Sequence, residues 1–75
     1  MPVVFSDHAK LQLKKRQISQ TVVRKVVISP YRIIPSFKGR KLRQKRVGDK
    51  LLEVVTRTEG SRITVVTAYY LKENL

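Results

Sequence analysis

One short stretch of the chain, residues 37–50, is dominated by positive charge and constrains the fold more than any other segment. Seven of its fourteen residues are Lys or Arg, and one, Asp49, is acidic. Like charges on neighbouring positions repel, so such a segment persists in a sheet as an edge strand or as a strand with one face open. We interpret it as a strand whose open face binds a ligand; the alternative is that its charge only blocks unwanted strand pairing.

Acidic residues are absent from a much longer interval. Between residues 8 and 48 there is no Asp or Glu, while 13 Lys and Arg fall in that interval. The whole chain has 17 basic and 5 acidic residues and a formal net charge of +12. Such a surface attracts phosphate, so a nucleic acid is the expected partner. An anionic membrane surface, an acidic protein or a merely solvated face would satisfy the same electrostatics.

Length and composition exclude several classes of protein. Seventy-five residues indicate one domain, residues 1–75, which buries only about 60% of its unfolded surface. Without Cys, and with His8 as the single histidine, the chain offers no metal site, and we expect no cofactor. No apolar run approaches the roughly 20 residues of a membrane span, and no signal peptide is recognisable. We therefore expect a cytoplasmic protein without a membrane partner.

The first part of the chain predicts two helices. Ser6 can cap a helix over residues 7–16, with Asp7 in its first turn. In that helix His8, Gln12 and Arg16 lie in a line along the edge of a narrow apolar stripe. Ser19 can cap a second helix over residues 20–28, whose valines repeat with a helical period despite their low helix propensity.

The rest of the chain predicts strands over residues 31–34, 40–47, 50–58 and 62–70. Gly48 and Asp49 form a two-residue turn of the kind that joins hairpin strands. The predicted fold is α+β, with two N-terminal helices packed on one face of a three- to four-stranded antiparallel meander. Simple alternation places Thr67 and Tyr69 on one strand face with Ile63 and Val65, so core packing would explain them as well as function.

Cleavage of RNA without a metal requires a base, cations that stabilise the phosphorane, and a proton donor. A His or a Lys can act as the base, and Arg is the preferred phosphate clamp. Candidate residues for the chemistry are His8, Arg16, Thr67 and Tyr69. Candidate nucleic-acid-binding residues are Lys38, Arg40, Lys41, Arg43, Lys45 and Arg46. Helix capping, dipole compensation and core packing are the structural alternatives for the first group.

Over residues 4–70 the order of short motifs resembles a small domain-of-unknown-function family that opens with His-Ala and Arg-Gly-Ile-Ser and closes with Thr-x-Tyr. His8, Arg16, Thr67 and Tyr69 occupy matching positions, and Arg40 falls in the middle basic position. That family is similar to the RelE-like toxins of the barnase and RelE-type ribonuclease group. The chain departs from the pattern at Gln12 and Gln17, where the family commonly has Arg and Gly; losing the Arg removes a cation from the helix edge.

The resemblance implies a RelE-like fold and a toxin that cleaves RNA without a metal and is held by an acidic antitoxin protein. The RNA would be free or bound to the ribosome. Two other functions stay open. One is a non-catalytic basic module that binds nucleic acid or associates with the ribosome, in which Gln12 marks a decayed site. The other is an interaction domain whose basic face meets an acidic protein.

Overall fold

Seven regular elements follow one another along residues 2–72, which are the residues that the computed structural model describes. They are β1 (Val3–Phe5), α1 (Asp7–Arg16), α2 (Gln20–Ile28), β2 (Arg32–Pro35), β3 (Arg40–Val47), β4 (Lys50–Glu59) and β5 (Arg62–Leu71). A single 3₁₀ turn, Phe37–Gly39, precedes β3. The predicted α+β class and both helices are confirmed, and β3 has the predicted bounds. None of the helices in this part of the chain is long and apolar enough to cross a membrane.

Both helices begin at the serines that the sequence predicted. The Ser6 hydroxyl accepts a hydrogen bond from the Ala9 N–H at 3.0 Å, and the Ser19 hydroxyl accepts one from the Val22 N–H at 3.0 Å. These bonds satisfy backbone donors that have no partner within the helix. The first helix ends at Arg16, and the next residue, Gln17, caps it in a left-handed conformation with φ 57°. Glycine adopts this conformation without strain, so the turn after α1 carries a side chain where a glycine would be easier.

The five strands form one sheet in the order β1-β5-β4-β3-β2. The strands from β2 to β5 pair antiparallel, as the predicted meander requires. The sequence did not predict β1, which pairs parallel with β5 and places Val3 opposite Ile63. Three apolar residues give no periodic signal, and their partner lies 60 positions later in the chain. The sheet therefore has five strands, where three to four were expected.

The apolar core lies between the helices and one face of the sheet. Leu13 of α1 and Val23 and Val26 of α2 are buried against Leu52 and Val54 of β4. The first helix packs on β5, and the second packs on β3 and β4. The branched valines that disfavour a helix by propensity are therefore placed there by burial.

A β-bulge in β5 reverses the side on which its second half points. Thr56 pairs with Val65 while Val55 pairs with Thr67, so Val66 is an extra residue. Beyond this bulge Ala68 enters the core, and Thr67 and Tyr69 turn to the opposite face. The expectation that these two residues share a face with Ile63 and Val65 was wrong. Simple alternation does not include a bulge, which re-aims the side chains that follow it.

Candidate nucleic-acid interface

Both described helices cover the same side of the sheet, so within residues 2–72 no helix covers the other side, here called the helix-free face. Its members follow from strand register, because residues directly opposite each other in neighbouring strands point to the same side. They are Val4 of β1; Arg32 and Ile34 of β2; Arg40, Leu42, Gln44 and Arg46 of β3; Leu51, Glu53, Val55, Arg57 and Glu59 of β4; and Arg62, Thr64, Thr67, Tyr69 and Leu71 of β5.

All the cations that the strands place on the helix-free face are arginines. Arg32, Arg40, Arg46, Arg57 and Arg62 lie on it, while the strand lysines Lys41, Lys45 and Lys50 fall on the helix side by the same registers. A guanidinium binds phosphate oxygens through a rigid fork of donors, whereas an ammonium is a strongly hydrated point charge. The open side of the sheet therefore carries the cation type that is suited to binding phosphate groups.

A row of polar side chains crosses the middle of the helix-free face. Gln44 donates from Nε2 to Oε1 of Glu53 at 2.6 Å, and the Tyr69 hydroxyl donates to Oε2 of the same carboxylate. Burial, the hydrogen bond to Glu53 and the negative charge of Glu53 raise the pKa of Tyr69 to about 12, and the charge of Arg16 opposes this rise. The phenol therefore stays protonated at neutral pH. Both carboxylate oxygens of Glu53 accept a hydrogen bond, and the residue is only 6% exposed.

At the β5 edge the end of α1 contacts the sheet beyond the last residue of β1. The Nη1 atom of Arg16 donates to the Ala68 carbonyl at 2.9 Å and to Oγ1 of Thr67 at 3.1 Å. It also lies 3.2 Å from Oε1 of Gln12, which accepts a further hydrogen bond from the Thr67 hydroxyl. An arginine at position 12 would offer no acceptor. Gln12 therefore has a structural role in this chain, because it joins α1 to β5.

The structure brings together three of the four candidate catalytic residues. Arg16 contacts Thr67, and its charge acts on Tyr69. His8 lies one helical turn before Gln12 on the same side of α1, and it is exposed. Within the described residues its imidazole has no hydrogen-bond partner. The fold thus assembles Arg16, Thr67 and Tyr69, with His8 outside their hydrogen-bonded cluster.

The six cations that were predicted to bind nucleic acid do not share one surface. Alternation along β3 places Arg40 and Arg46 on the helix-free face and Lys41, Arg43 and Lys45 on the helix side. Lys38 is exposed in the 3₁₀ turn, where it adopts φ 57°. Only two of the six therefore belong to the helix-free face.

Arg43 is part of the interior. Its side chain is 9% exposed, and its Nε donates to Oγ1 of Thr56 at 3.1 Å. Its Nη1 donates to the Val27 carbonyl in the last turn of α2 at 3.0 Å, where a cation also complements the helix dipole. Burial lowers the pKa of Arg43 from its usual value. The guanidinium is used to attach α2 to the sheet, so we leave Arg43 out of the interface.

The sequence interpretation missed three arginines of the helix-free face, Arg32, Arg57 and Arg62, and the exposed Tyr31 that precedes β2. For Arg57 a signal existed. The two-residue turn at Gly48 and Asp49 sets the hairpin register, and that register places Arg57 directly opposite Arg40. Arg32 pairs with Gln44 through a strand whose register no short turn fixes, so the sequence held no comparable signal for it.

A cavity of about 570 Å³ lies beside the first residue of β2, where β3 continues beyond its pairing with β2. Its lining residues are Tyr31, Arg32, Gln44, Lys45, Arg46 and Leu51. Tyr31 is 81% exposed and is fixed at its backbone, where its N–H donates to the Gln44 carbonyl at 2.8 Å. An exposed ring beside two guanidinium groups is an arrangement on which a nucleic-acid base can stack.

The fold and its open side define the class of protein: an α+β domain with two helices on one face of a mostly antiparallel sheet and arginines on the other. The chain belongs to the family described as Domain of unknown function (DUF4258), whose model matches residues 5–70. No curated protein and no solved structure matches the chain. The match supports no relation to RelE-like toxins, so that resemblance stays a prediction. Within residues 2–72 no group of three His, Asp or Glu side chains could hold a metal ion.

Proposed function

We propose that the protein binds single-stranded RNA through the helix-free face. The observation that carries this proposal is the separation of cation types, with five arginines on the open side and the strand lysines on the helix side. In β3 the two arginines of this face are six residues apart, a distance of about 20 Å along the strand, so the cations extend over several nucleotides. Four neighbouring strands, β2 to β5, contribute these arginines.

Affinity in this proposal comes from phosphate contacts, and base contacts are made by rings and apolar side chains. Arg32 and Arg46 flank the cavity in which Tyr31 is exposed. Stacking on aromatic rings requires bases that are not paired in a duplex, and this favours a single strand. The remaining central row of Gln44, Glu53 and Tyr69 is held by its own hydrogen bonds and forms the floor of the surface.

Binding is measured by fluorescence anisotropy with a labelled RNA of about ten nucleotides. We expect the logarithm of the association constant to fall with the logarithm of salt concentration, with a slope of about −0.7 for each phosphate contact. The variant Arg32→Gln/Arg46→Gln should bind about tenfold more weakly or worse. Its matched control is Lys10→Gln/Lys14→Gln, which removes the same charge from exposed positions of α1.

An equal loss of affinity in both double variants would show that only net charge matters, and the proposed surface would then be wrong. Equal affinity for a polyglutamate peptide would favour an acidic protein partner over RNA. Single-stranded DNA of the same sequence provides a further comparison, because it lacks the 2′-hydroxyl that distinguishes RNA.

A second candidate function is metal-free cleavage of the bound RNA, and the contact of Arg16 with Thr67 beside Tyr69 favours it. The 2′-oxygen would attack phosphorus and lose its proton to water or to the exposed His8, while Arg16 stabilises the charge on the phosphorane. The bond to the 5′-oxygen would break, and Tyr69, after exchanging its hydrogen bond with Glu53, would give that oxygen a proton and recover one from water. Incubation with free and ribosome-bound RNA in chelator tests this function. The 2′,3′-cyclic phosphate ends should appear and be lost in Tyr69→Phe; their absence leaves the binding function alone.

Cleavage that was lost in His8→Ala would add the exposed imidazole to the site. Growth arrest on expression would accompany a toxin, and an acidic antitoxin would then compete with RNA for the arginines of the open side. A binding module at ordinary levels should be tolerated by the cell.

A further inference from the structure

Two arginines face each other across the β3–β4 pair on the helix-free face. Arg40 is the register partner of Arg57, and both are partly buried. Directly opposed side chains in an antiparallel pair have Cβ atoms about 5 Å apart, and like charges at that spacing destabilise the sheet. The protein therefore places two permanent positive charges at a position that works against its own stability.

Neither guanidinium is compensated within the described residues 2–72. No hydrogen bond or ion pair joins either group to another described side chain, including Glu59, which lies two positions along the strand from Arg57. The Nε atom of Arg40 is buried, and no group of the described residues accepts a hydrogen bond from it. Buried donors without a partner are rare in native structures and call for an explanation such as a missing ligand.

The next strand adds a hydroxyl to the same row, because Thr64 of β5 is the register partner of Arg57. Three neighbouring strands thus present two guanidinium groups and one hydroxyl side by side on an open surface. A phosphate group has oxygens that point in several directions. It can therefore accept hydrogen bonds from both guanidinium groups at the same time.

We propose that Arg40, Arg57 and Thr64 form a subsite for one phosphate group of the bound strand. The proposal deepens the proposed function and rests on it for the identity of the ligand. The phosphate contact would lie at the beginning of β3, about 20 Å along this strand from the cavity beside Tyr31. Phosphate binding would neutralise the two charges, and a turn of the Arg40 side chain toward the phosphate would bring its buried Nε atom to an acceptor.

The first test uses inorganic phosphate and needs no RNA. Thermal unfolding is recorded in sodium phosphate and in sodium chloride at matched ionic strength. The wild type should gain more stability in phosphate than in chloride, because a ligand of the native state raises Tm. Arg57→Gln should have a higher Tm than the wild type in chloride and a reduced gain in phosphate.

The matched control is Lys41→Gln, which removes one charge from the residue next to Arg40 on the opposite side of the strand. It should keep the phosphate gain of the wild type. The general stabilising action of phosphate on proteins is present in all variants and cancels in this comparison. An undiminished phosphate gain in Arg57→Gln, or a lower Tm than the wild type in chloride, would overturn the subsite.

The second test uses the labelled RNA. In Arg40→Gln/Arg57→Gln the salt slope should become shallower by about 0.7, the value of one phosphate contact on a single strand. If the wild type binds RNA through Arg32 and Arg46 but this slope is unchanged, the subsite is wrong and the proposed function stands. If RNA does not bind while the phosphate gain depends on Arg57, the proposed function is wrong and the anion site stands.

Discussion

At the scale of single residues, arginine has three distinct roles in this chain. Arg43 is buried and joins α2 to the sheet, and Arg16 covers the edge of β5 beyond β1. Arg40 and Arg57 lie on the helix-free face, and no group in the described part of the chain compensates their charges. Composition alone counts these groups as equal charges. Their burial and partners decide which of them are available to a ligand.

Replacing Arg43 tests its structural role. Arg43→Met removes the donors to Thr56 and Val27 and should lower the free energy of unfolding by about 1.5 to 3 kcal/mol, the range for hydrogen bonds to charged groups. Lys41→Met, at an exposed position two residues earlier in β3, should alter the free energy of unfolding by less than about 0.5 kcal/mol. Urea unfolding of both variants gives the comparison. Equal effects would show that the buried guanidinium contributes nothing specific.

Tyr69→Phe tests the central polar row through the pH dependence of stability. The folded pKa of about 12 exceeds the unfolded value of about 10, so the stability contributed by this phenol is complete below pH 10 and is lost as pH rises to 12. Urea unfolding at pH 8 and pH 11 should show a larger decrease for the wild type than for Tyr69→Phe. Tyr31→Phe, at an 81% exposed position, should retain the wild-type decrease. The same decrease in all three proteins would contradict the assignment.

At the scale of the elements, the features predicted correctly are those that depend on residues close together in the sequence, namely the helix starts and the β3–β4 hairpin. Ser6 and Ser19 start the helices by capping, and the turn at Gly48 and Asp49 fixes the β3–β4 register. The strand β1 was not predicted because it pairs with a strand that is distant in the sequence. The bulge at Val66 was not predicted because it is an irregularity in the pairing of β4 with β5. The candidate site was predicted only in part for a similar reason, because the side on which each strand residue points was not taken into account. Alternation in β3 divided its cations between two faces, and the bulge decided which side receives Tyr69.

Deleting single residues of β5 tests the bulge. Removal of Val66 should leave Thr67 and Tyr69 on the helix-free face and Ala68 in the core, so the variant should still unfold cooperatively. Removal of Thr64 shifts the register and turns the fully buried Val65 outward, which should cost about 3 kcal/mol or more. Thermal unfolding followed by circular dichroism distinguishes the two deletion variants. Equal loss of structure would show that the bulge is required by the core.

At the scale of the whole molecule, the net charge of +12 affects stability and binding in opposite ways. Repulsion among cations destabilises the compact state, and added salt screens that repulsion. The same salt weakens phosphate contacts.

We therefore expect the Tm of the free protein to rise between about 20 mM and about 500 mM sodium chloride, while affinity for RNA falls over the same range. Scanning calorimetry and anisotropy measure the two quantities. The variant Lys10→Glu/Lys14→Glu lowers the net charge and should show a smaller rise in Tm. A Tm that falls with salt would indicate that attractive ion pairs dominate instead.

The parallel pairing of β1 with β5 also has a consequence for how the chain acquires its structure during synthesis. Val3 pairs with Ile63, and α1 packs on the same late strand. These early segments must wait for a partner made 60 residues later, and such non-local closure slows folding. While they wait, α2 and the β3–β4 hairpin are the parts that can form from sequence neighbours. We expect them to be the earliest structured region of the nascent chain.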